Sequence, residues 1–132
     1  LATTISTAAR NAGCAAITAL IDAGDSAGTL VIRDGTTVLV TITLQDPAFG
    51  APSDGTADLA GVPLSNQASG SGDADNYQFL DSDGTLVISG DVAQGDPQSP
   101  DPLTITLDNT NIAQGQTVVI NSYQFTVPAT TS

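Results

Sequence analysis

Two hydrophobic periodicities divide the chain. Residues 7–23 contain no proline, and Ala8, Ala9, Ala12, Ala15, Ala16, Ala19 and Ala23 give strong helix propensity. Ala9, Ala12, Ala16 and Leu20 recur at the 3–4 spacing of one helix face, with Ile17, Leu20 and Ile21 adding bulk near the C-terminal end. Ser6 or Thr4 can cap the N-terminus through a side-chain oxygen, and Gly24 is placed to end the helix. The side chains along the Ala9–Leu20 stripe are small. The helix is therefore expected to pack closely through it, against its own sheet or against the same helix in a neighbouring copy.

From Thr29 the period becomes two. Residues 29–33 read as a short strand. Val38, Val40, Ile42 and Leu44 then alternate with Leu39, Thr41 and Thr43 in a second, half-buried one. Asp34-Gly35 between them is the signal of a tight hairpin turn. The next stretch contains Pro47, Pro52 and Pro63. A structureless loop of that length is unusual in a compact domain, so a short strand is placed at about residues 56–59, with Val62 and Leu64 as further anchors. The Ser/Gly run over 65–72 reads as a mobile loop.

A second hairpin follows. Residues 76–80 carry Tyr77 and Phe79 on one face, Asp81-Ser82-Asp83-Gly84 turns the chain, and residues 85–90 return with Leu86 and Ile88 on one face. The proline-rich segment 93–102 is a connection. Leu103, Ile105 and Leu107 alternate with Thr104 and Thr106, and residues 108–115 form a turn. Residues 117–127 make the longest predicted strand, with Val119, Tyr123, Phe125 and Val127 on one face. Asn121 falls on that face, which predicts a bulge or an exposed patch there. No repeat period is present. The pattern predicts one mainly β domain over residues 1–132, a β-sandwich of jelly-roll or immunoglobulin-like kind with one N-terminal α-helix. The helix spans 6–23, the sandwich 29–127, and a flexible tail 128–132.

Composition narrows the chemistry. The 132 residues hold 14 acids, all aspartate, against Arg10 and Arg33, with no lysine or histidine, for a net charge of −12. The imidazole and amine groups that serve as general bases, metal ligands and Schiff-base nucleophiles are missing. Two arginines among 14 aspartates make no positive field for nucleic acid or for anionic lipid. No apolar run is long enough for a membrane span, and no signal-peptide pattern is visible. Five aromatic residues, Phe49, Tyr77, Phe79, Tyr123 and Phe125, leave a core built mostly of Val, Ile, Leu and Ala.

The candidate chemical groups each have a plainer explanation. Asp81 and Asp83 before Gly84, and Asp73 and Asp75 before Asn76, have the spacing of calcium ligands. Neither run continues to the further ligands a calcium loop needs, so both read as turns that use Asp and Gly for their backbone preferences. Cys14, the one cysteine, lies inside the helix and reads as a packed small residue, with Arg10 one turn earlier as its sole cationic neighbour. Arg33, beside Asp34, reads as locally paired. For Arg10, local pairing and contact with an acidic partner or a neighbouring subunit are equally open. No catalytic, cofactor-binding or metal-ligating residue is assigned. The assigned interface is Arg10, Ala9, Ala12, Ala16 and Leu20.

Several stretches carry a resemblance. Thr4-Ile5-Ser6-Thr7-Ala8-Ala9-Arg10-Asn11-Ala12-Gly13-Cys14 and Leu20-Ile21-Asp22-Ala23-Gly24 resemble the start of small virion proteins of tailed bacteriophages. So do Gly28-Thr29-Leu30-Val31-Ile32-Arg33-Asp34-Gly35, Leu44-Gln45-Asp46-Pro47-Ala48-Phe49-Gly50 and Leu80-Asp81-Ser82-Asp83-Gly84-Thr85. The resemblance implies a non-enzymatic capsid decoration or cement protein on the capsid exterior. It would bind the major capsid protein and its own copies, as a homo-oligomer (trimer or dimer), without cofactor. The other readings are a neck, tail or head-fibre component, and an extracellular carbohydrate-binding or adhesin-type module. An exposed platform of two or three aromatic rings would favour the last.

Overall fold

The chain is described by a computed structural model over residues 3–96, 103–127 and 130–131. In chain order its elements are β1 (Thr3–Thr4), α1 (Thr7–Ile21), β2 (Thr29–Asp34), β3 (Thr37–Thr43), β4 (Thr56–Asp58), β5 (Leu64–Gln67) and β6 (Gly72–Asp73). There follow β7 (Asn76–Leu80), β8 (Leu86–Gln94), β9 (Thr104–Leu107), β10 (Asn111–Ile112), β11 (Thr117–Ile120), β12 (Gln124–Thr126) and β13 (Thr130–Thr131). The protein is mainly β with one N-terminal helix among the described residues, in a β-sandwich-like arrangement.

One layer is a five-stranded sheet in the order β3-β2-β7-β8-β9. Cross-strand partners share a face. Thus Ile42, Leu30, Phe79 and Ile88 form one buried row across four strands, and Val40, Ile32, Tyr77 and Gly90 form the next. The opposite face carries Thr41, Thr43, Gln78 and Ser89, with Val31 buried between Thr41 and Gln78. Gly90 is required in its row. A Cβ there would stand 2.7 Å from Tyr77 Cε2, so the glycine makes room for the ring. The second layer is divided into the short ribbons β11-β5, β12-β4 and β10-β6. Ala57, Ile112, Val118, Ile120 and Tyr123 from these ribbons and the segments beside them join the sheet's apolar face in one core, together with Cys14 and Ile21 of α1.

The strands follow the alternation, and two bulges account for most departures from it. In the first hairpin Ile32 pairs with Val40 and Arg33 with Val38, so Leu39 is the extra residue. Leu39 and Val40 are both buried, and Val38 turns outward instead of joining Val40 and Ile42. The bulged Leu39 carbonyl accepts from the amides of Ser69 and Gly70, at 2.8 and 3.2 Å. That bond helps to explain why the 65–72 run is not a loose loop. Its first part is β5, its middle is fastened to the bulge, and its end enters β6. In the second hairpin Phe79 pairs with Ile88 and Leu80 with Leu86, leaving Val87 extra. Leu86 is consequently 50% exposed, whereas Ile88 is buried.

Four further expectations are corrected. The strand predicted over 117–127 is broken at 121–123 into β11 and β12. The inward phase of β11 is Val118 and Ile120, with Val119 exposed. The interruption falls at Asn121, where the pattern was irregular. Ala93 and Gln94 belong to β8 and pair in parallel with β9, not to a connection. Pro97, Pro100 and Pro102 of that connection lie outside the described residues. At the C-terminus Thr130 and Thr131 pair antiparallel with Thr4 and Thr3, so this part of the predicted tail is a strand. Pro128, Ala129 and Ser132 lie outside the described residues. Finally, the helix ends at Ile21 with Asp22 as its C-cap, and Gly24 takes its left-handed conformation two residues later. The parallel β8–β9 pair and the divided second layer distinguish the arrangement from a wholly antiparallel sandwich.

Candidate functional site

The helix turns the opposite face from the expected one toward the core. Cys14, Thr18 and Ile21 are buried and Ile17 is half-buried, at the 3–4 spacing of that opposite stripe. Ala9, Ala12 and Ala16 are exposed, and Leu20 is 57% exposed. The physical reason is volume. The inward stripe holds Cys, Ile, Thr and Ile, which fill the space over the sheet better than alanines do. Packing of the Ala9–Leu20 stripe against the chain's own sheet is therefore excluded, and the stripe lies open on the surface.

Ser6 caps this helix, its Oγ accepting from the Ala9 amide at 3.1 Å. Arg10 stands on the first turns and is consumed within the chain. Its Nη1 donates to the Asp54 carbonyl at 2.6 Å, its Nη2 to Thr7 Oγ1 at 3.0 Å and its Nε to the Ile5 carbonyl at 3.3 Å. Next to it, Asn11 Oδ1 accepts from the Gly55 amide at 2.7 Å. Together they clamp the turn at Asp54-Gly55, where Asp54 itself has φ 53°. The partner of Arg10 is thus a carbonyl oxygen of that turn. Asn11 carried no signal in the sequence, because its acceptor role depends on a residue 44 positions away.

The remaining candidates are likewise built into the fold. The Cys14 thiol is fully buried, donates to the Phe125 carbonyl at 3.7 Å, and is pushed above its ordinary range by desolvation. That is the reverse of what a reactive thiolate needs. Asp81 Oδ1 accepts from the amides of Asp83 and Thr85, both at 2.9 Å, which is turn chemistry. Asp34 Oδ2 accepts from the Asp73 amide and Asp75 Oδ1 from the Gly35 amide, both at 3.1 Å, so these carboxylates join the first hairpin turn to the approach of β7. Asn76 Nδ2 also donates to Asp75 Oδ1, and this side-chain bond, with the Gly35 backbone amide, holds the Asp75 carboxyl below the usual range. Arg33 Nε donates to Asn76 Oδ1 at 2.9 Å, where Asp34 was the neighbour suggested by sequence. Among the described residues no group of three or more His, Cys, Asp or Glu converges as a metal site.

The aromatic residues offer no platform. Phe49, Tyr77, Phe79 and Tyr123 are buried against one another, with ring centroids 5.0 to 5.9 Å apart, and Phe125 is half-buried. A depression of ≈ 160 Å³ near β9 and β11 includes Leu107, Ile112 and Val118 in its lining, and its sole ionisable lining group is Asp108. No helix among the described residues is long and apolar enough to cross a membrane. In comparisons with protein-family models, with curated proteins and with solved structures, the chain matches none. What the geometry leaves available is surface: an uncharged helix face on a strongly acidic body.

Proposed function

We propose that this chain is a non-enzymatic virion structural protein that decorates or cements a tailed-phage capsid, binding the major capsid protein and its own copies on the capsid exterior. The reading rests on the resemblance of the N-terminal and hairpin segments to such virion proteins, and on one structural observation. The outward face of α1 (Ala9, Ala12, Ala16 and Leu20) is exposed, and α1 holds no aspartate in a chain of net charge −12. Two acidic copies meet with less repulsion through a face that carries no negative charge than through one that does, and this helix face is such a surface. Alanines there let backbones approach closely. Arg10, already bonded within the chain, serves that face as structure and not as a free cation. Elsewhere the 14 aspartates keep unbound copies soluble and away from packaged DNA.

The test is to locate the protein in an electron-microscopy map of purified particles and to melt particles with and without it. Density repeated over the shell, with a lower melting temperature in its absence, supports the decoration reading. Density confined to the neck or tail, with shell melting unchanged, replaces it with the neck, tail or head-fibre reading.

A further inference from the structure

Three Asp-Gly pairs occupy turns of this chain: Asp34-Gly35, Asp54-Gly55 and Asp83-Gly84. Such pairs are the chemically weakest points of an aspartate-rich protein. The glycine amide nitrogen attacks the aspartyl Cγ, a C–N bond forms, a C–O bond of the protonated carboxyl breaks, and one water leaves. The resulting succinimide takes up water at either carbonyl, giving back aspartate or giving isoaspartate, whose main chain is one methylene longer. No oxidant or cofactor is involved. Whether a pair reacts in a folded protein depends on whether its glycine amide is free and whether the carboxyl can reach it.

The three sites differ in how those two groups are held. The Gly55 amide donates to Asn11 Oδ1 of the helix at 2.7 Å, Gly55 is buried, and its carbonyl accepts from the Val127 amide at 2.9 Å. The Gly35 amide donates to Asp75 Oδ1, and the Asp34 carboxylate is itself occupied by the Asp73 amide. Both sites are thus secured by partners about 40 residues away. They open only when separate segments come apart. The Gly84 amide has only the Asp81 carbonyl, at 3.0 Å, within its own four-residue turn, and Asp83, Gly84, Thr85 and Leu86 are all exposed. A bond closed inside one exposed turn opens by local fluctuation, without unfolding.

We propose that Asp83 is a site of spontaneous isoaspartate formation in the native chain, and that Asn11 and the Asp73–Asp75 segment protect Asp54 and Asp34. The product would lengthen the β7–β8 turn where Ser82 Oγ donates to the Ala23 carbonyl at 3.1 Å, and so loosen its seat on the helix end. The proposal does not depend on the capsid reading.

The experiment ages the purified chain in mildly acidic buffer, folded and in urea, and maps isoaspartate by peptide mass spectrometry with fragmentation that separates the isomers. In urea all three pairs should react at similar rates. In the folded chain Asp83 should react several-fold faster than Asp54 and Asp34. Asn11→Ala should raise the Asp54 rate several-fold and leave Asp83 unchanged. If that variant does not fold, the wild-type ratio between folded and urea-treated samples decides alone. Equal rates at the three sites in the folded chain, or Asp54 leading, would overturn the proposal.

Discussion

The hydroxyl of Tyr123 lies 2.6 Å from that of Tyr77 in the centre of the core, and Tyr77 in turn meets the Leu103 carbonyl at 2.9 Å. A phenol has one proton to give. Tyr77 spends its own on Leu103, so Tyr123 is the donor to Tyr77. The chain of bonds runs from the second layer through the sheet to the start of β9, where Leu103 is held at φ 67°. Removing the two hydroxyls should therefore cost different amounts. Tyr123→Phe leaves Tyr77 still donating and should cost about 1 kcal/mol. Tyr77→Phe leaves the Leu103 carbonyl and the Tyr123 hydroxyl without their partner, and should cost about 1–3 kcal/mol. Urea unfolding of the two variants checks the order, and equal costs would show that the direction of donation is wrong.

The same pair should make stability fall at alkaline pH. Burial pushes both phenols above the ordinary tyrosine range; the Tyr77 bond adds to the shift at Tyr123, and the Asp91 charge adds to it at Tyr77. A group whose folded pKa is raised contributes its stability fully below its unfolded pKa. That contribution is lost as pH rises beyond it, here above about 10. Phenolate absorbance should thus appear together with loss of near-ultraviolet circular dichroism. Phenolate formation in a chain that keeps its native dichroism would contradict the buried pair.

Gly90 faces Tyr77 across the β7–β8 ladder, and the room it leaves is filled by the ring. Gly90→Ala forces Tyr77 to shift, straining the hydroxyl chain as well as the packing. A cost of about 1–3 kcal/mol is expected from overpacking. In the Tyr77→Ala background, where the ring is gone, the same substitution should cost much less. A double-mutant cycle by thermal or urea unfolding measures that coupling.

Both hairpins and the helix were legible because each is specified locally: Asp34-Gly35 and Asp83-Gly84 for the turns, alternation for the strands, Ser6 and the alanines for the helix. Which helix face turns inward was not legible. Alanine suits a close-packed seam and an exposed helix surface alike, and the choice was made by the bulk of Ile17 and Ile21 on the opposite stripe. The order of the 65–72 run was hidden for a related reason. Ser and Gly there read as flexible until the Leu39 bulge supplies a carbonyl for the Ser69 and Gly70 amides, and a bulge leaves no mark in the pattern beyond Leu39 and Val40 being apolar in succession. The lack of lysine and histidine is read directly from the composition. That Arg10 is bound to a turn at Asp54 was not, because the contact depends on tertiary structure.

Arg10 should behave as a structural clamp. Its acceptors are two carbonyls and a hydroxyl, all neutral. Arg10→Ala should cost about 1–2 kcal/mol, nearly independent of salt, unlike a surface ion pair. Arg10→Lys should recover little, because an ammonium cannot reproduce the guanidinium fork across three acceptors. Thermal unfolding at low and high salt checks both points, and a cost that vanishes at high salt would point to a carboxylate partner instead.

The outward helix face separates stability from association. Ala16 is exposed, so Ala16→Leu meets no core and should leave the melting of the isolated chain within about 0.5 kcal/mol of wild type. Cys14→Leu, on the buried stripe of the same helix, should cost about 1–3 kcal/mol by overpacking. If copies associate through the Ala9–Leu20 stripe, as the proposed function requires, Ala16→Leu should weaken self-association and binding to shells while the fold is kept. Salt gives an independent check. Each copy carries −12, and an uncharged apolar contact opposed by that charge should tighten as ionic strength rises. Analytical ultracentrifugation of wild type and Ala16→Leu across salt measures both effects. An association that Ala16→Leu leaves intact, or one that weakens with salt, would place the contact on another face of the protein.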